Sequence, residues 1–182
     1  MAADSHRPLT WATNSWAKVD DGVLSDSQCK LLEQTFKLSD FAVRKDSSDA
    51  ETPTLECEYD SADFQKSSWW VAISRQLESY CPELSFTVKS VTGVSIAFGD
   101  TSEFRYNTDK NEIHCLVYIN QSWNVNEGGC ILFGDDEPIF CVAPRSGRLL
   151  TVGPSSGYLL TTPSRYATAM LLMLHIVIKK NL

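Results

Sequence analysis

The sequence predicts a mostly β fold of the α+β class, in which N-terminal helices pack on one face of a β-sandwich or barrel. Apolar residues recur at helical spacing up to about residue 80, and from residue 86 onward they alternate with polar residues. Glycine, proline, asparagine and aspartate divide this second part into short segments. Helices that precede about eight short strands are typical of helices packed against one side of such a sheet structure.

The first predicted helix begins at a capping box. Ser25 stands three residues before Gln28, so the serine oxygen can accept from first-turn amides while the glutamine side chain bonds back to the backbone. Apolar residues follow at near-helical spacing; they are Leu31, Leu32 and Phe36. We therefore expect a helix over residues 26–37.

A second helix is predicted over residues 62–80. Its evidence is one apolar stripe at steps of four, four and three residues, formed by Trp69, Ile73, Leu77 and Tyr80. Pro82 ends this helix, because proline lacks the backbone N–H that the helix needs. The preceding residues 44–63 are polar and acidic, which indicates a solvated loop.

The remaining pattern indicates a short first strand and a core of eight strands. The candidate strands are 16–19, 86–98, 103–107, 113–119, 129–134, 138–143, 147–152, 156–161 and 166–178. We interpret the chain as a single domain over residues 1–182. Within it we expect a tail at 1–15, a helical support region at 16–85 and a β core at 86–178.

Composition and charge exclude several classes of function. The 182 residues carry a formal net charge of -7, which argues against non-specific binding to nucleic acid or to an anionic membrane surface. The six cysteines include no CxxC pair, and the N-terminus has no apolar segment of signal-peptide length. We therefore expect free thiols in a reducing, cytoplasmic compartment. The apolar stretch 167–178 is too short to cross a bilayer.

The segment from Tyr118 to Leu150 carries the most specific pattern, and it reads YINQSWNVNEGGCILFGDDEPIFCVAPRSGRLL. A Y-I-N strand end, a tryptophan, a glycine pair and a P-x-x-G-R-L strand follow in order, and R-Y-A comes later at 165–167. This order resembles the core of the prolyl-hydroxylase-like branch of the 2-oxoglutarate/Fe(II)-dependent oxygenases. The resemblance implies a double-stranded β-helix, or jelly-roll, core with the N-terminal helices on one face.

The resemblance also implies a site for a small carboxylate. Arg165 matches the arginine that grips the distal carboxylate of 2-oxoglutarate in the family, and Tyr118 matches a tyrosine that often contacts the same group. A forked guanidinium suits this task because it donates two parallel hydrogen bonds to one carboxylate. The alternative for Arg165 is an arginine at the surface or rim that pairs with an acidic loop.

The expected iron ligands do not match the family. Its His-x-Asp pair falls on Asn107 and Asp109, and its second histidine falls near Ser156. Neutral amide and hydroxyl oxygens bind ferrous iron poorly, and one carboxylate does not retain it. This comparison predicts that the metal-binding histidines are missing and that Fe(II) does not bind. No cofactor is expected to bind tightly, and 2-oxoglutarate is the one candidate that remains.

His114 is the histidine with the strongest candidate role. It lies four residues before Tyr118, so both side chains share one face of a strand. A displaced metal site or a catalytic pair formed by Asp109 and His114 is one interpretation. The other is a histidine that lines the pocket or is hydrogen-bonded in the core, and the pattern around His175 favours a core or edge residue.

Three hypotheses for function follow. The first is a pseudoenzyme of the oxygenase fold that binds a small carboxylate or a protein partner. The second is an active 2-oxoglutarate-dependent oxygenase with non-standard metal ligation. The third is a metal-free isomerase or cyclase that uses the same cavity. The pocket expected for this chemistry is lined by Asn107, Asp109, His114, Tyr118 and Arg165, and it contains acid and base candidates.

Overall fold

Two antiparallel sheets packed face to face form the body of the protein, which we describe from a computed structural model. The structure describes residues 16–43, 55–99, 104–134, 138–154, 156–165 and 167–180. Helices cover the outer face of the larger sheet. The predicted mostly β, jelly-roll fold with helical support is confirmed. The predicted tail at 1–15 lies outside the described residues.

The larger sheet has seven strands in the order β1-β9-β6-β11-β4-β3-β2. They are β1 (Ala17–Asp20), β2 (Ala42–Val43), β3 (Leu55–Tyr59), β4 (Leu84–Ile96), β6 (Glu112–Tyr118), β9 (Leu149–Val152) and β11 (Ala169–Lys180). The smaller sheet has the order β5-β10-β7-β8. Its strands are β5 (Phe104–Asn107), β7 (Ile131–Gly134), β8 (Pro138–Val142) and β10 (Ser156–Leu160).

The first helix, α1 (Asp26–Lys37), has the predicted bounds and the predicted capping box. The backbone N–H of Gln28 donates to the Ser25 hydroxyl at 3.3 Å, and the Ser25 N–H donates to Oε1 of Gln28 at 3.0 Å. Both bonds satisfy donors that a helix terminus would otherwise leave unpaired. Among the helices of the described ranges, none combines the length and the apolar character that crossing a bilayer requires.

Replacing Ser25 with alanine is expected to lower the free energy of unfolding by about 1 kcal/mol, because the Gln28 N–H loses its acceptor. Ser25→Asp keeps an acceptor at this position and serves as the control. Urea denaturation of both variants measures the effect. Equal losses from Ser25→Ala and Ser25→Asp would contradict a role for the cap.

The prediction of one continuous second helix is wrong. The structure divides it into α2 (Ser61–Phe64) and α3 (Ser68–Tyr80). Ser67 causes this break, because its hydroxyl accepts the N–H of Trp70 at 3.2 Å and so begins a new helix. The stripe predicted for this helix still packs in the core, where Ile73 and Leu77 are fully or almost fully buried.

The prediction of a loop over residues 44–63 is also wrong for its second part, residues 55–63. That part contains β3 and α2, whereas residues 44–54 lie outside the described residues. Strand β3 forms because it pairs with the long strand β4, with Cys57 opposite Gly93. The Cys57 side chain is buried, so tertiary pairing overrides the polar composition of the segment.

Apolar side chains form one layer on each side of the larger sheet. Strand β6 is covered by both layers, and all seven of its residues are buried. Ile113, Cys115 and Val117 pack toward the helices, whereas Leu116 and Tyr118 pack toward the smaller sheet. Since side chains alternate along a strand, residues 112 and 114 share the face that lies between the two sheets. The six cysteines are free thiols, as predicted, and four of them are buried.

Candidate metal centre

The two positions at which the family's histidines were expected lie next to each other. Asn107 ends β5 and Ser156 begins β10, and they are direct partners across the strands. Both are buried, but their polar groups are already used. The Asn107 amide donates to the carbonyl oxygen of Glu112 at 2.8 Å and to that of Gly153 at 3.3 Å, and the Ser156 hydroxyl accepts the N–H of Trp16 at 3.0 Å. These side chains hold backbone segments together.

Asp109 does not join this pair. Its side chain is exposed in the turn between β5 and β6, where its carboxylate accepts the N–H of Asn111 at 2.8 Å. Such a bond from an aspartate to the backbone two residues later is typical of a turn. The structure therefore gives Asp109 a local contact in an exposed turn, whereas His114 is buried.

The carboxylate site implied by the resemblance involves Tyr118 and Arg165, which have very different surroundings. The Tyr118 hydroxyl donates to the carbonyl oxygen of Gly129 at 2.8 Å, and burial raises the pKa of Tyr118 well above its usual value. Arg165 is exposed in the turn that precedes β11. This exposure agrees with the first part of the alternative interpretation, an arginine at the surface or rim.

A different polar cluster lies between the sheets, and it contains two histidines. His114 on β6 and His175 on β11 are direct cross-strand partners. Their rings stack with centroids 4.2 Å apart and planes 7° from parallel. Glu112 precedes His114 by two residues, so it lies on the same face of β6. The ligand atoms of Glu112, His114 and His175 all lie within 4.8 Å of one another.

Both histidines are held in the neutral form that a metal ligand must have. Burial is the main cause that lowers the pKa of His114 to about 3, and the neighbouring His175, Arg105 and Lys89 lower it further. Burial also lowers the pKa of His175. The Tyr158 hydroxyl lies 3.3 Å from Nδ1 of His114, which leaves Nε2 as the ring nitrogen without this contact. Binding of a metal at Nε2 would require the tautomer in which Nδ1 carries the hydrogen, and this N–H would donate a hydrogen bond to the Tyr158 oxygen.

Two cations lie at the edge of the cluster, and each pairs with a glutamate. The Lys89 ammonium donates to Oε1 of Glu112. Nη2 of Arg105 donates to Oε1 of Glu56 at 3.0 Å, and the side chains of this second pair are 19% and 24% exposed. The Arg105–Glu56 pair joins β5 of the smaller sheet to β3 of the larger sheet. The cluster is therefore a charged, partly enclosed site between the sheets.

The donor set fits a first-row transition metal. Two imidazoles and one carboxylate are the ligands of non-haem iron sites that keep open positions. Bonds of about 2.1 Å allow two ligands of one ion to be at most about 4.2 Å apart. The observed limit of 4.8 Å is slightly larger, and the two stacked rings would have to turn relative to each other for one ion to lie in the plane of both.

The prediction that the chain lacks metal-binding histidines and that Fe(II) does not bind is therefore wrong. The comparison with the family expected histidines only at the family's own positions. The displaced site that was considered joined His114 to Asp109, and His175 was interpreted as a core or edge residue. One local signal was available, because Glu112-Ile113-His114 places a carboxylate and an imidazole on the same face of a strand. His175 is 61 positions beyond His114 in the chain, so their contact depends on the pairing of β6 with β11.

Comparisons with known proteins agree with the fold. No family model and no curated protein matches the chain. Solved structures do match it. The viral collagen prolyl hydroxylase of Paramecium bursaria Chlorella virus-1 is 13% identical with a TM-score of 0.65, and the match covers 89% of each chain. The chain therefore has the fold of the 2-oxoglutarate/Fe(II) oxygenases, and at this identity the likeness concerns the fold alone.

Two further matches contain ligands. HygX from Streptomyces hygroscopicus, with nickel and 2-oxoglutarate bound, is 9% identical with a TM-score of 0.61, and the match covers 90% of this chain and 83% of HygX. A prolyl hydroxylase from Trichoplax adhaerens, in complex with a peptide fragment of the hypoxia inducible factor oxygen degradation domain, is 13% identical with a TM-score of 0.63 over 88% and 83% of the two chains. The cluster of Glu112, His114 and His175 removes the missing histidines as an argument for the pseudoenzyme hypothesis.

Proposed function

We propose that this chain is a metal-dependent oxygenase that uses 2-oxoglutarate and holds Fe(II) through Glu112, His114 and His175. The observation that carries the proposal is the close approach of these three ligand groups between the sheets of an oxygenase fold. It is the hypothesis of non-standard ligation, with Glu112 and His175 in place of Asp109. A bound Fe(II) would supply the redox chemistry and the open positions at which cosubstrate and oxygen are bound.

The residues of the chain prepare the site for a cation. His114 and His175 are neutral at pH 7, so neither loses a proton when it becomes a ligand. Glu112 contributes a negative charge from a side chain that is only 8% exposed. Tyr158 contacts the ring nitrogen of His114 that faces away from the proposed metal, which orients the imidazole.

Arg105 supports the choice of a dicarboxylate cosubstrate. Burial is the main cause that lowers the pKa of both His114 and His175, and the positive charge of Arg105 lowers both further. This cation is therefore close to the proposed centre. Its guanidinium already holds the carboxylate of Glu56. We propose that Arg105, and not the exposed Arg165, pairs with the distal carboxylate of 2-oxoglutarate.

The proposal is tested with the metal and the cosubstrate together. Anaerobic calorimetry with Fe(II) or Mn(II) is expected to give one ion per chain, and 2-oxoglutarate is expected to bind more tightly to the loaded protein than to the metal-free protein. In air, with ascorbate as the reductant in place of an oxidisable substrate, the Fe(II) protein is expected to convert 2-oxoglutarate and O2 to succinate, CO2 and water, and His114→Ala removes this activity. Absence of metal binding would overturn the proposal and restore the pseudoenzyme hypothesis. Metal binding without any succinate would leave a metal protein that is not an oxygenase of this type.

A further inference from the structure

We propose that the Lys89 ammonium acts as a built-in competitor of the metal, so that metal binding at Glu112 breaks the Lys89–Glu112 ion pair. This inference rests on the proposed metal centre and concerns its regulation. It predicts that lysine 89 weakens metal binding and at the same time stabilises the metal-free protein.

The two partners of the ion pair differ strongly in burial. The Glu112 side chain is 8% exposed, whereas the Lys89 side chain is 56% exposed. A buried carboxylate without a cation is costly, so Glu112 needs a positive partner when no metal is bound. The exposed lysine can leave for solvent at low cost when another cation arrives, because its ammonium is readily hydrated there.

An irregularity of the sheet brings Lys89 to this position. In the pairing of β4 with β11, Ser90 lies opposite His175 and Val88 lies opposite Ile176. Lys89 therefore has no cross-strand partner residue on β11. Such an extra residue is a β-bulge, which locally turns a side chain away from its regular direction. The bulge lies beside His175, a proposed ligand, and it lets Lys89 reach the carboxylate of another proposed ligand.

A different role for Lys89 predicts the opposite result. If the lysine only oriented Glu112 for the metal, its removal would loosen the ligand and weaken metal binding. If it competes, its removal eliminates both the ion pair that must be broken and the repulsion between the ammonium and a divalent ion. The burial of the two partners favours competition, because the exposed ammonium is poorly suited to fix an enclosed carboxylate.

The test compares Lys89→Met with the matched variant Lys66→Met. Lys66 also pairs with a carboxylate, Asp63 at 2.8 Å, but both partners are more than 70% exposed. Calorimetry with Mn(II) is expected to show about tenfold tighter binding for Lys89→Met and no change for Lys66→Met. The metal-free Lys89→Met protein is expected to melt at a lower temperature than the metal-free wild type, and Mn(II) is expected to raise its Tm by more than it raises that of the wild type.

The outcomes separate this inference from the proposed function. Unchanged or weaker Mn(II) binding by Lys89→Met, while the wild type binds Mn(II), would overturn the competition and leave the metal centre intact. Failure of both proteins to bind Mn(II) would overturn the metal centre and the inference together. Lys89→Gln, which also removes the charge, is expected to repeat the result and guards against an effect specific to methionine.

Discussion

Replacing His175 with alanine is expected to reduce the affinity for Mn(II) at least a hundredfold, whereas Asp109→Ala is expected to leave it unchanged. The reason is that His175 supplies one of three ligand atoms that lie within 4.8 Å of one another, and two remaining protein ligands are too few for tight binding. Asp109 is exposed and its carboxylate accepts a backbone N–H in a turn. Calorimetry of the two variants and the wild type measures the difference.

The same experiment distinguishes the two possible arrangements of ligands. His114→Ala is expected to lose metal binding in either arrangement, so it serves as the positive control. Loss of binding in Asp109→Ala, with full binding in His175→Ala, would establish the Asp109–His114 site and overturn the centre proposed here. Urea denaturation of each metal-free variant confirms that a lost affinity reflects a lost ligand and not an unfolded protein.

The sequence predicts the fold well where the signal is local or periodic. The capping box at Ser25 and the strand predicted over residues 113–119 each depend on neighbours within a few positions. One failed prediction, the loop over 44–63, depends on contacts with a distant part of the chain, whereas the break in the second helix has a local cause at Ser67. Strand β3 exists because β4 pairs with it, and its own polar composition does not indicate a strand.

The candidate site was harder to predict than the fold for the same reason. The family comparison aligned Asn107, Asp109 and Ser156 with ligand positions. Asn107 and Ser156 are cross-strand partners, but the sequence does not reveal that their polar groups bind backbone atoms. It places Glu112 and His114 on one face of a strand, yet the third member, His175, meets them only through the pairing of β6 with β11. A histidine in a long apolar strand has the same local sequence whether it lies in a packed core or in a metal site.

The stability of the metal-free protein is expected to fall by about 2 kcal/mol between pH 7 and pH 5 because of His114 alone. The folded pKa of His114 is about 3, below its ordinary value of 6.5, because burial disfavours the charged ring. Below pH 6.5 the unfolded chain therefore takes up a proton that the folded protein does not, and unfolding is favoured by about 1.4 kcal/mol per pH unit. Above pH 6.5 both states are neutral at this residue, and the dependence disappears.

His114→Gln isolates this contribution, because glutamine does not titrate in this range. Denaturant unfolding at pH 7 and pH 5, with a chelator present, is expected to show a pH effect about 2 kcal/mol smaller in the variant than in the wild type. The comparison uses the change with pH, so a uniform loss of stability in the variant does not affect it. An identical pH dependence in the two proteins would mean that His114 takes up its proton as readily in the folded state as in the unfolded state. That result would remove the argument that this imidazole is held neutral, ready to serve as a ligand.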